Sequence, residues 1–209
     1  MERLVGKISK LQRSPVSLRT QSRMLEFAKK GKEDDDSLFK ELCFCLLTAN
    51  YTSEGGIRIQ KAMGNGFLTL SEKRLAKKLK SLGYRFPNAR ARYIVEARRH
   101  RAVGKLLRSA SDPASLRGYI ADNVLGLGFK ESSHFLRNIG YKDLAIIDFH
   151  IIDILVEHGL IEKPKSNSLG RRKYLEIESV LAGLCRRTNL SQGELDLYLW
   201  YLETGKILK

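Results

Sequence analysis

Two glycines, Gly126 and Gly128, stand one residue apart between two helical patterns in Val124-Leu-Gly-Leu-Gly-Phe-Lys-Glu-Ser-Ser-His-Phe-Leu-Arg-Asn-Ile-Gly140. A connection this short forces the flanking helices into a hairpin, and glycine makes such a turn without strain. The helix before it opens at Asp112-Pro113, a capping residue followed by proline at the first helical position. The hairpin unit therefore spans about 113–140. N–H groups in the turn, with the N-terminus of the following helix, can hold a phosphate oxygen. An ordinary turn with no ligand is the alternative.

Charge weighs between the two. Of 209 residues, 38 are Lys or Arg and 23 are Asp or Glu, a formal net charge of +15. Such an excess points to a polyanionic partner. The charge is spread along the chain, as expected of a folded basic face rather than a disordered arm. A basic surface without a partner is the alternative. Cys43, Cys45 and Cys185 are odd in number and fit no zinc spacing, so no metal is expected. They read as reduced thiols in a cytoplasmic protein. No apolar run is long enough to span a bilayer. The charged segment Met1 to Arg13 lacks a hydrophobic signal core.

Leucine periodicity and only four prolines predict an all-α fold. Helices are expected over 16–30, with Leu18, Leu25 and Ala28 among the apolar positions, and from Asp36 or Ser37 to Thr48. The pair Gly55-Gly56 marks a helix start or a close backbone contact, Ile57 to Met63 is helical, and Asn65-Gly66 is a turn. Ser71 caps a basic helix ending near Gly83, and Pro87 opens an arginine-rich one reaching Leu107. After the hairpin, Asp148 starts a helix closed by Gly159, and 160–168 form a loop. A helix over 169–187 follows. Ser191 and Glu194 have capping-box spacing and open the last helix, to about Glu203.

Lys130 and Asp148 add chemistry to the hairpin. Lys130 falls in the first turn of the second hairpin helix, where the helix dipole disfavours a positive charge. Burial beside Phe129 would act in the same direction. A neutral amine is a nucleophile, and Schiff-base formation requires one. A surface lysine touching phosphate is the plainer alternative. Asp148 stands between Ile147 and Phe149, an apolar setting where a solvated aspartate is unexpected. It can serve as a helix cap. A carboxylate so held can also stabilise the positive charge that develops on a sugar as a glycosidic bond breaks.

The run Leu125-Gly-Leu-Gly-Phe-Lys130, with Asp148-Phe-His150 downstream, resembles the helix-hairpin-helix DNA glycosylase superfamily. The resemblance covers most of the chain. In that family the lysine marks bifunctional glycosylase/AP lyases, which release a damaged base and then cut the strand by β-elimination. Thr48-Ala-Asn-Tyr-Thr52 is similar to the family helix whose amide residue fills the gap left by the flipped base, the position of Asn50. His150 matches a histidine that contacts phosphate near the lesion. The four-cysteine iron–sulfur cluster of endonuclease III-like members is excluded, because only Cys185 lies in the C-terminal third. The extra N-terminal sheet domain of eukaryotic-type enzymes is not expected in so short a chain. Gly83-Tyr-Arg-Phe-Pro-Asn-Ala-Arg90 and the ending Leu199-Trp-Tyr…Lys209 resemble the compact 8-oxoguanine glycosylases of archaea and some thermophilic bacteria. In that group a terminal lysine and a preceding tryptophan help recognise the oxidised base, the positions of Lys209 and Trp200. The ending at Lys209 is consistent with a functional C-terminus.

A flipped base needs stacking surfaces. Phe86, before Pro87, is either a pocket wall or a hydrophobic staple, and Trp200 on its own reads equally as a core anchor. Arg85, Arg90, Arg92, Arg98, Arg99 and Arg101 form a dense basic segment, mostly solvated, of which one face, Arg85 and Arg92 among it, is expected to track the DNA backbone. His134 reads as structural. The expected architecture is two helical lobes around a DNA-binding cleft. Residues 37–150 form one lobe, and 1–36 with 151–209 form the other. The expected activity is removal of 8-oxoguanine from double-stranded DNA by a monomer without cofactor or metal. A same-fold enzyme for another lesion, or a non-catalytic DNA-binding module, stays open.

Overall fold

The computed structural model describes residues 1–49, 51–109, 112–166 and 169–209. Among them are helices and turns and no strand. In chain order the helices are α1 (Glu2–Gln12), α2 (Val16–Lys30), α3 (Asp35–Thr48), α4 (Ser53–Met63), α5 (Gly66–Thr69), α6 (Glu72–Ser81) and α7 (Pro87–Ala97). After a 3-10 turn at Arg98–His100 come α8 (Val103–Leu107), α9 (Pro113–Asn123), α10 (Phe129–Asn138), α11 (Phe149–Glu157), α12 (Arg171–Thr188) and α13 (Gln192–Thr204). Asn50 and the end of the 160–168 loop lie outside the described residues. The chain forms two compact units, Lys29–Ile139 and Met1–Ala28 with Gly140–Lys209.

In the first of these units α3 is the central rod. From Leu38 on it is buried on nearly every side, and Phe39, Leu42, Phe44, Leu46 and Leu47 are fully buried. Asp34, not Asp36 or Ser37, caps it: the Asp34 carboxylate accepts from Ser37 N at 2.7 Å. The next two acidic residues reach elsewhere. Asp35 accepts from Gly104 N at 2.6 Å and Asp36 pairs with Arg101 at 2.5 Å. These contacts cap α8 and divide the expected 87–107 helix into α7, the 3-10 turn and α8. Gly56 lies in the first turn of α4, where a Cβ would come within 3.0 Å of Phe44 and Thr48 on α3. One face of α10 is likewise sunk into this core. Asn138 donates to the buried Glu41 at 2.7 Å, and Gln60 donates to the other oxygen of that carboxylate at 3.1 Å. A buried polar group is tolerable when it is hydrogen-bonded in this way. The result ties α3, α4 and α10 together.

In the other unit the charged N-terminus folds as α1, whose Leu4 and Ile8 are fully buried where it packs on α12 and α13. Helix α2 turns a different face inward from the one expected. Val16, Thr20, Met24 and Phe27 are buried, whereas Leu18 and Leu25 are 69 % and 72 % exposed. The inward set recurs every three to four residues along one stripe, and the threonine within it hides that stripe from a count of leucines. Segment 140–148 is stitched to α12 and α13. Gly193 N donates to Lys142 O at 2.8 Å, and Ala145 N donates to Glu178 at 2.8 Å. The Tyr174 hydroxyl donates to Ala145 O at 2.8 Å and accepts from Ile147 N at 3.2 Å. Asp148 is therefore carried by the unit of the C-terminal helices, while the hairpin belongs to the other; the expected limits of 37 and 150 put both in one lobe.

Cys43, Cys45 and Cys185 are free and buried. Burial pushes the Cys43 thiol well up, and Cys185 is raised to about 12 by burial with help from Asp143 and Glu194. Both read as inert core residues. No helix among the described residues is long and apolar enough to cross a membrane.

Candidate active site

The hairpin is built between two capped helices. Asp112 accepts from Ala114 N and Ser115 N, each at 3.0 Å, and starts α9. After Asn123 the chain turns, with Leu127 N donating to Val124 O at 3.1 Å. Val124 and Leu127 anchor the turn in the core and Leu125 faces out. Gly126 has φ +91°, and a Cβ there would lie 2.5 Å from the Tyr93 ring of α7. Conformation and close approach therefore both demand glycine. Arg92, exposed on α7, sets its guanidinium 5.5 Å from the Tyr93 ring, so a cation borders the residue that supports the hairpin.

This gives a first test. Gly126→Ala should destabilise the protein by about 2 kcal/mol, which for a chain of this size lowers Tm by about 4–8 °C. Gly128 has φ −93°, and a Cβ there meets only the flexible end of Glu131, at 3.4 Å. Gly128→Ala should therefore cost less than half as much. Thermal melts of the two variants side by side measure the difference.

Gly128 caps α10, and its N–H donates to Glu131 Oε2 at 3.3 Å. Lys130 is the second residue of that helix, in the first turn as expected. Its Nζ lies 3.2 Å from Glu131 Oε1, with the two side chains 27 % and 16 % exposed. The sequence pattern suggests only an amine beside Phe129; the fold adds a carboxylate partner. The Phe129 ring takes the Arg117 guanidinium at 4.7 Å. His134, one turn on, is buried edge-on against Phe44 at 5.6 Å, the structural placement expected for it.

The other unit gathers a second group. Asp148 caps α11, its Oδ1 accepting from Ile151 N at 3.0 Å. Phe149, in the first turn, is 60 % exposed and lies 3.9 Å from the His150 ring. His150 meets Trp200 of α13 edge-on at 4.9 Å, and its Nδ1 is 3.5 Å from Glu203 Oε1. Trp200, fifty residues on in sequence, thus packs against His150 in the first turn of the helix that Asp148 caps. Trp200 Nε1 is shielded from solvent and has no acceptor among the described residues, whereas buried indole N–H groups usually have one. Helix α13 ends at Gly205, φ +71°, and the buried Ile207 then pins the tail that carries Lys209.

Phe86 stands at the N-cap of α7, 41 % exposed, with the Arg85 guanidinium 4.9 Å from its ring. Around it lies an anchor not evident in the sequence. Tyr84 donates to Leu47 O at 2.8 Å, and Arg90 donates to Tyr84 Oη at 3.0 Å and to Ala49 O at 2.7 Å. The Tyr51 ring packs tilted against Tyr84, with centroids 4.7 Å apart. The residues on either side of position 50 are thereby fixed to the segment that carries Phe86. Arg90 is consequently buried, and Arg98 holds Phe67 O and Leu70 O at 2.9 and 2.6 Å. Neither belongs to a solvated basic face. Arg85 and Arg92 are exposed.

A sequence model of a family described as 8-oxoguanine DNA glycosylase matches residues 20–190. An 8-oxoguanine DNA glycosylase/AP lyase of Korarchaeum cryptofilum is 51 % identical over 99 % of this chain and 98 % of its own length. Among solved structures, the Methanocaldococcus jannaschii 8-oxoguanine glycosylase/lyase in complex with a 15mer DNA containing 8-oxoguanine superposes with a TM-score of 0.96. It is 49 % identical, over 99 % of this chain and 100 % of that one. The Thermotoga maritima 8-oxoguanine DNA glycosylase gives a TM-score of 0.92 at 41 % identity, over 100 % of this chain and 99 % of that one.

Proposed function

The chain belongs to the 8-oxoguanine DNA glycosylase family, and from that premise we propose how its own residues excise the base and cut the strand. It is a base-excision repair enzyme, a bifunctional glycosylase/AP lyase acting on DNA that contains 8-oxoguanine. The observation that carries the residue assignment is an amine in the first turn of the helix leaving the hairpin, side by side with a carboxylate. Lys130 is the nucleophile. Gly126 and the first-turn amides of α10 hold a backbone phosphate, since these N–H groups precede any intrahelical carbonyl, and Gly128, whose own N–H is given to Glu131, lets the DNA backbone come close. Arg92 and Arg85 add sequence-independent attraction.

The chemistry follows in order. Neutral Lys130 attacks C1′ of the damaged nucleotide, and the glycosidic bond breaks with its electron pair leaving on the base, which takes up one of the two protons of the newly attached, positively charged nitrogen. Asp148, fixed by Ile151 N, stabilises the positive charge that builds on the sugar. The nitrogen lone pair then breaks the C1′–O4′ bond, and the remaining nitrogen proton passes to O4′ as the sugar ring opens, leaving an imine between Nζ and C1′. That imine acidifies the C2′ proton. Its loss expels the 3′-phosphate and breaks the strand, and water releases the lysine. Trp200 and Lys209 recognise the oxidised base, Phe86 offers a stacking surface, and His150 contacts phosphate beside Asp148. Asn50 fills the gap left by the flipped base. The enzyme acts as a monomer in the cytoplasm; sedimentation on and off DNA tests the first of these.

A lesion panel tests the whole reading. Identical duplexes carrying 8-oxoguanine, uracil, hypoxanthine or thymine glycol are incubated with the protein, with and without borohydride. Strand cleavage and a trapped cross-link are expected for the 8-oxoguanine duplex above all others. Equal trapping on another lesion would redirect the specificity, and trapping on none would remove the lyase assignment.

A further inference from the structure

The carboxylate of Glu131 has one oxygen on each half of the hairpin's work. Oε2 accepts from the N–H of Gly128, at the turn. Oε1 lies 3.2 Å from the Lys130 amine. Both side chains are more buried than exposed, so solvent screens the pair less than it would a surface one. A lysine on an outer helical turn has four freely rotating bonds, and aiming it costs up to about 2 kcal/mol of rotamer entropy. A partner already bonded to the backbone of the same turn removes much of that freedom before substrate arrives. The anchoring oxygen is itself fixed, because the Gly128 N–H precedes the helix and has no intrahelical acceptor.

We propose that Glu131 is the positioning residue of the nucleophile, holding the Lys130 amine against the hairpin turn so that a nucleotide docked at that turn meets it in reacting geometry. This rests on Lys130 being the nucleophile. It distinguishes the role of Glu131 from simple helix capping, which requires only the bond to Gly128.

Glu131→Gln separates the two. The amide oxygen can still accept from Gly128 N–H, and the volume is unchanged, but the anionic partner of Lys130 is gone. Single-turnover borohydride trapping is measured on a duplex with a preformed abasic site, at DNA concentrations that saturate each protein. The Glu131→Gln protein should form the cross-link about tenfold more slowly, as misplacement of a reacting group predicts. Its Tm should match wild type within 1–2 °C, and its duplex Kd should stay within about threefold. Glu131→Ala, which also removes the cap, should show the same slowing together with a lower Tm. A Glu131→Gln protein that traps at the wild-type rate or faster would overturn the proposal and leave Glu131 as a cap. Trapping by a Lys130→Gln control would instead overturn the assignment of the nucleophile beneath it.

Discussion

Replacing Lys130 by glutamine should abolish borohydride trapping and lower strand cleavage at 8-oxoguanine by at least about 10³-fold, since the covalent route proposed above loses its nucleophile. Glutamine matches the length of most of the side chain and can still meet Glu131, so α10 should fold unchanged. One of the chain's 38 basic side chains is removed, and duplex affinity should fall only a few-fold. The informative comparison is between strand cleavage as it occurs and cleavage after hot alkali, which reveals abasic sites. If Lys130 forms the imine, Lys130→Gln retains at most a slow release of base, assisted by Asp148 alone, and every break then requires alkali. Spontaneous breaks at a wild-type rate would place the amine nucleophile elsewhere in the chain.

The helix starts that carry Lys130 and Asp148 are readable in the sequence for a physical reason: helix starts are local events. A Gly-x-Gly turn, a cap and a first turn are defined within about six residues, so Asp112, Asp148 and the Ser191–Glu194 box appear where the pattern places them. Features decided by distant partners are hidden. The break after Ala97 depends on Asp35 and Asp36, more than sixty residues earlier. Arg90 and Arg98 look like surface cations until the carbonyls of Ala49, Phe67 and Leu70 come within reach. The unit that carries Asp148 is set by Tyr174 and Glu178, which follow it by roughly thirty residues. The pairing of His150 with Trp200 and Glu203 is of the same kind. Glu131 is an intermediate case. It stands three residues after the cap, the right spacing for a capping box, but the cap is a glycine with no side chain to complete the pattern and draw attention to it.

Asp148→Asn should slow base release by about 10²–10³-fold while leaving the fold nearly intact, and the contrast follows from its observed role as a cap and its proposed role in catalysis. As a cap, Asp148 needs one oxygen to accept from Ile151 N, and asparagine supplies it about equally well. What asparagine lacks is the full charge at the helix N-terminus, worth about 0.3–1 kcal/mol of stability, so Tm should drop by no more than about 4 °C. In the catalytic role proposed for it, Asp148 acts on the positive charge that develops at the sugar, and a neutral amide forfeits most of that. The loss should be confined to the step in which the charge appears. On 8-oxoguanine duplexes single-turnover base release should collapse, whereas on a duplex with a preformed abasic site, where the glycosidic bond is already broken, imine trapping should fall much less. Asp148→Ala extends the series: it removes the cap as well and should melt lower than Asp148→Asn by the equivalent of about 1 kcal/mol. Equal losses on both substrates would mean that the carboxylate serves the lysine rather than the sugar. A matching collapse of Tm in the asparagine variant would reduce Asp148 to its role in starting α11.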